Sequence, residues 1–96
     1  MDQKGKSRNE IAAELAAAIK RCVNASGHEM PLLRPDAFPL TAIPGFDSLC
    51  GIEVTVDLQE RLSLKLENNI FVKANGTKVA ARTLAEVVDA LLKAGR

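Results

Sequence analysis

Asp47-Ser48-Leu49-Cys50-Gly51-Ile52-Glu53-Val54-Thr55-Val56-Asp57-Leu58-Gln59-Glu60-Arg61-Leu62 admits two periods, and the choice between them decides the fold. Ile52, Val54, Val56 and Leu58 alternate with Glu53, Thr55 and Asp57, the two-residue period of a half-buried strand. Wound as a helix, the same residues put Val54, Leu58 and Leu62 at i, i+4 and i+8 on one face and Leu49, Ile52 and Val56 at i, i+3 and i+7 on another. An acidic strip of Glu53, Asp57 and Glu60 runs between the faces. Propensity does not separate the readings, because β-branched residues and Gly51 weaken a helix by only tenths to about 1 kcal/mol each.

The flanks are less ambiguous. On the N-terminal side, Ser7-Arg8-Asn9-Glu10 has the spacing of a capping box, and Ile11, Leu15, Ala18, Ile19, Cys22 and Val23 follow as one apolar stripe ending near Ser26-Gly27. On the C-terminal side, Thr83-Leu84-Ala85-Glu86 is a second capping box, and Leu84, Val87, Val88, Leu91 and Leu92 mark a helix to about Ala94. Between the first helix and Asp47, all four prolines fall at positions 31, 35, 39 and 44, predicting an extended loop from His28 to Phe46 pinned by Leu32, Leu33, Phe38, Leu40 and Ile43. Beyond the central segment, Asn75-Gly76 is a strong turn signal that closes either a small hairpin or an exposed loop. Two capped helices around the central segment point to a small helical bundle.

Composition removes several function classes. A chain of 96 residues, 47% hydrophobic and 26% charged, suits one soluble domain. Thirteen basic residues balance 12 acidic ones, and the three aromatics are all Phe, so neither a phosphate backbone nor unstacked bases find a surface here. No apolar run approaches a membrane span and the polar N-terminus lacks a signal-peptide core, so a cytoplasmic location is expected; the chain is also expected to be a monomer. Cys22 and Cys50 belong to no metal-ligand spacing; free thiols are expected, with Cys22 in the core and Cys50 a small filler, and no metal site is assigned. His28 stands alone in a loop, and Lys73 to Lys78 holds a single glycine, unlike a phosphate loop. No enzyme constellation is visible.

Gly45-Phe46-Asp47-Ser48-Leu49 is the stretch that resembles a known family, the acyl carrier proteins, whose modified serine lies in an Asp-Ser-Leu triplet opening their second helix. The resemblance extends over residues 8–94: a first helix, a long loop, the Asp-Ser-Leu helix, an irregular segment and a last helix opening with Thr83-Leu84. Ile52-Glu53 stands where the family has an aliphatic residue and a glutamate. It implies an all-α fold, a three- to four-helix bundle of acyl-carrier type with a long proline-rich first loop; ahead of it, the polar, glycine-containing start of the chain is expected to be a flexible tail over residues 1–7. It also implies a 4'-phosphopantetheine arm on Ser48, with Asp47 and Leu49 completing the attachment motif. Docking would use Ile52, Glu53, Val56, Asp57 and Glu60. The implied partners are a phosphopantetheinyl transferase and acyl-transferring and acyl-modifying enzymes of fatty acid, lipid or polyketide-type biosynthesis, with no catalysis by the chain itself.

Each residue also has a plainer reading. Asp47 or Ser48 serves as a helix N-cap, Leu49, Ile52 and Val56 as core under the loop, and the acidic strip as a solvated face. On those terms the chain is an unmodified helical interaction module. The near-neutral charge, Gly51 inside the helix and the longer stretch from Phe71 to Ala81 depart from the family. An inserted loop is expected around Asn75-Gly76, in place of a short third helix, and a carrier dedicated to one pathway is suggested.

Overall fold

The structure, a computed structural model, describes residues 7–95; of the expected tail, residues 1–6 lie outside the described residues. Both capping boxes form. Helix α1, Arg8–Ala25, starts with the Ser7 hydroxyl accepting from the Glu10 N–H at 3.2 Å while Glu10 accepts from the Ser7 N–H at 2.8 Å. Its stripe of Ile11, Leu15, Ala18, Ile19 and Val23 is buried, whereas Cys22, expected in the core, is only half-buried at its edge. The reason is angular: Cys22 follows Ile19 by three residues and looks into the seam beside the next helix rather than beneath it.

The proline-rich loop is fastened from an unexpected side. The carbonyls of Ala37 and Pro35 accept from Leu84 N at 2.8 Å and Ala85 N at 2.9 Å, using donors that a helix start leaves unpaired. Within the loop a single helical turn, α2, Pro39–Ala42, forms despite the prolines, because Pro39 occupies the first helical position, where no N–H is needed. Ile43 and Phe46 are buried and Leu33 and Leu40 pack against the core, but two expected pins fail: Leu32 is fully exposed and Phe38 is 43% exposed. The Leu84 and Ala85 bonds hold the backbone there, so those side chains are not required as anchors.

The central segment is helix α3, Ser48–Leu62. Burial resolves the two periods. Val54 and Leu58 are buried against α1 while their alternation partners Ile52 and Val56 face solvent, which a strand with all four on one side would not give. Thr55, buried on the same helix, donates to the Gly51 carbonyl at 2.7 Å and accepts from Ile70 N at 3.1 Å, tying the returning chain to α3. The helix closes at Ser63, whose backbone is left-handed at φ 55°.

The fold is not all-α. Strands β1, Val72–Asn75, and β2, Lys78–Ala81, pair antiparallel with Asn75 opposite Lys78, so the turn residues are Gly76 and Thr77. Gly76 has φ +68°, the positive value that a two-residue hairpin needs at its first turn position when the second is negative. The inserted loop expected around Asn75-Gly76 is instead a paired hairpin, its turn set one residue later than an Asn-Gly turn would be. Arg82 N extends the pairing to the Phe71 carbonyl at 2.8 Å, and Ile70 and Phe71 enter the core just before β1. Helix α4, Leu84–Ala94, opens on the Thr83/Glu86 box and buries Val87, Val88 and Leu91. Helix α1 packs on both α3 and α4, so the described residues form four helices around one core with the small sheet at its edge. Among the described residues no helix is long and apolar enough to cross a membrane.

Candidate functional site

Asp47, not Ser48, caps α3. Its carboxylate accepts from Cys50 N at 3.0 Å, and this bond, together with further backbone donors at the helix start, holds the Asp47 carboxyl below its ordinary value. Ser48 is therefore the first residue inside the helix, and it is exposed. A group attached to its oxygen would project to solvent beside a helix end whose Cys50 donor Asp47 already engages.

Outward from Ser48 runs an apolar stripe. Leu49 is 64% exposed, Ile52 39% and Val56 47%, on the side of α3 away from Val54 and Leu58. The alternative of plain core for these three residues does not hold. They form a solvent-facing apolar surface one to two turns long, starting next to the serine.

The acidic strip is divided. Asp57 lies between Arg21 Nη2 of α1 at 2.7 Å and Arg61 Nε of its own helix at 2.8 Å. Partial burial pushes the Asp57 carboxyl up, but bonds and charge from the two arginines outweigh it and leave the value lowered. Glu53 Oε1 meets the Cys22 thiol at 3.5 Å. Glu60 is exposed and makes no ion pair among the described residues. The strip thus offers Glu53 and Glu60 as acceptors, with Asp57 screened by cations.

Behind Ser48, Asn69 returns from the loop after α3. Its Nδ2 donates to the Ser48 carbonyl at 3.4 Å and its Oδ1 accepts from Phe71 N at 3.0 Å. It rests on Gly51, where a Cβ would stand 2.9 Å from Oδ1. Nothing in the sequence marks Asn69, Arg21 and Cys22 as site residues, since partners 21, 36 and 31 residues apart leave no spacing to read. On the other flank the exposed His28 ring lies over Gly45, ahead of the buried Phe46.

An open cleft of about 250 Å³ lies between α1 and α3, lined by Ala18, Arg21, Cys22, Ala25, Ser26, Glu53, Val54 and Asp57. Its lining is mixed polar and apolar, unlike the mostly apolar pocket that would enclose a hydrocarbon chain. No family model, curated protein or solved structure matches the chain.

Proposed function

We propose that the chain is an acyl carrier protein that bears a 4'-phosphopantetheine arm on Ser48. One observation carries the reading: the serine of Asp47-Ser48-Leu49 is exposed in the first turn of α3 and is bordered by the outward-facing Leu49, Ile52 and Val56. The residues fit such an arm, since the serine oxygen is reachable and Asp47 holds the turn through Cys50 N without engaging it. When bound, the arm supplies a terminal thiol that holds acyl groups as thioesters. The chain's own part is to present and to be recognised. Asp47 fixes the first turn, Asn69 braces it from behind, and Leu49, Ile52 and Val56 give the transferase and acyl-handling enzymes an apolar contact. Glu53 and Glu60 add a weak, salt-sensitive charge contact that permits release. Catalysis belongs to those partners, and the carrier works as a cytoplasmic monomer.

The test is intact mass after incubating the purified chain with coenzyme A, magnesium and a broad-specificity phosphopantetheinyl transferase. One added phosphopantetheinyl group on the wild type and none on Ser48→Ala supports the carrier. A second reading, an unmodified interaction module, draws on the screening of Asp57 by Arg21 and Arg61, which weakens an acidic docking surface but leaves the apolar stripe intact. Failure of several transferases to label the chain, with partner capture that survives Ser48→Ala and is lost on Ile52→Lys, favours that module.

A further inference from the structure

Cys22 of α1 and Cys50 and Glu53 of α3 come together although nothing in their sequence spacing pairs the first with the others. One ligand atom from each, two Sγ and a carboxylate oxygen, lies within 4.8 Å of the other two. Cys50 and Glu53 are three residues apart on one helix, so they face the same way. Cys22 reaches across the seam between the helices, its Sγ 3.5 Å from Glu53 Oε1. Zinc bonds of about 2.3 Å to sulfur and 2.0 Å to oxygen at a tetrahedral angle place those two atoms roughly 3.5 Å apart.

We propose that Cys22, Cys50 and Glu53 form a binding site for one zinc-like divalent cation that clasps α1 to the first turns of α3. Two thiolates select a borderline-soft ion such as zinc over magnesium or calcium, which take all-oxygen shells. Among the described residues no fourth His, Cys, Asp or Glu joins the group, so the fourth position takes water or an outside ligand. Access exists, because Cys22 and Glu53 line the open cleft.

The electrostatics support a cation. Two thiols and a carboxyl converge here, and the Arg21 guanidinium that lines the same cleft is committed to Asp57. Burial, then the neighbouring Cys50, then Glu53, push the Cys22 thiol up to about 12, so without a cation Cys22 keeps its proton. Binding exchanges thiol protons for the metal: one divalent cation enters, two S–H bonds break, two metal–sulfur bonds and one metal–oxygen bond to the Glu53 carboxylate form, and two protons leave to solvent. The site closes two residues after Ser48, but its existence does not depend on the arm; with the cation bound, Glu53 is a ligand and the acidic docking contact falls to Glu60.

The test uses the full chain without the arm, whose own thiol would compete, kept reduced with a phosphine. Zinc affinity is read by competition with a chromophoric chelator, and thiolate count by the ultraviolet charge-transfer band of the cadmium-loaded chain. One metal per chain and a two-thiolate band are expected. Cys22→Ser should halve the band, and Glu53→Gln should keep it while weakening zinc at least about tenfold, the scale set by loss of even an indirect ligand partner. Cys22 is half-buried and Glu53 exposed, so both variants should keep the wild-type circular dichroism. Zinc affinity unchanged in Cys22→Ser, a one-thiolate band in the wild type, or one metal shared between two chains would each overturn the site.

Discussion

Gly51 and Asn69 occupy each other's space: a Cβ on Gly51 would lie 2.9 Å from the Asn69 Oδ1 and 3.0 Å from its Nδ2. The glycine weakens the helix by about 1 kcal/mol relative to alanine, and what it gains is room for the amide that joins the Ser48 carbonyl to the Phe71 N–H. Gly51→Ala should therefore lower stability by up to about 1 kcal/mol, because two hydrogen bonds of roughly 1 kcal/mol each are displaced against one propensity gain. In an Asn69→Ala background the sign should reverse, with alanine at 51 stabilising by about 0.5–1 kcal/mol. Urea denaturation of the four chains of this cycle checks it; additive effects would remove the link between the loop and the first turns of α3.

Asp57 gives a pH signature. Its carboxyl value in the folded chain lies below the ordinary 3.8, so its contribution is complete above 3.8 and is lost as pH falls through the lowered value. The Arg21 and Arg61 side chains are 43% and 50% exposed, so solvent screening holds the contribution to about 0.5–1 kcal/mol. Asp57→Asn should cost that much at neutral pH, less at high salt, and nothing once both chains are taken well into acid. Denaturation midpoints of the two chains across pH give the comparison, and a difference that grows on acidification contradicts the pairing.

Local signals account for what was legible in the sequence. The α1 and α4 starts are written in residues three apart, and their stripes in the 3.6 period, so both helices were readable without the rest of the chain. For α3 the alternation of Ile52, Val54, Val56 and Leu58 is as local as a helix cap and points the wrong way; what decides is the burial of Val54 and Leu58 on α1, a fact of tertiary packing. The Asn75-Gly76 signal left hairpin and loop open, because only β1, Val72-Lys73-Ala74-Asn75, alternates apolar and polar; its partner β2, Lys78-Val79-Ala80-Ala81, does not. At the site, Asp47 to Val56 could be nominated because they are contiguous. Asn69, Arg21 and Cys22 reach it only through folding.

The apolar stripe should be separable from stability. Ile52 and Val56 are exposed, so Val56→Gln should change unfolding free energy by no more than about 0.5 kcal/mol. The same change should reduce transferase kcat/KM about tenfold, the scale of one buried contact at an interface. Calorimetry and a labelling time course on one preparation measure both. Equal labelling by the two chains would place recognition elsewhere on the surface.

Phe46 and Phe71 set the ground on which Ser48 stands. Their rings meet edge to face with centroids 5.0 Å apart and planes at 79°, Phe71 fully buried and Phe46 almost so. Phe46 lies immediately before Asp47, and Phe71 immediately after the Ile70 held by Thr55, so this contact joins the end of the proline-rich loop to the entry of β1 beneath the first turn of α3. Phe71→Ala should cost about 3–5 kcal/mol, a large share of the 5–15 kcal/mol available to a domain of this size. Leucine at either position keeps most of the apolar volume, and the double-leucine cycle should return a coupling of about 0.5–1.5 kcal/mol for the ring pair itself. Because Phe46 immediately precedes the Asp47 cap, amide exchange at Cys50 should quicken in the Phe46→Leu chain more than at Leu91 of α4, and uniform acceleration at both would mean that the ring contact stabilises the whole molecule without positioning the serine.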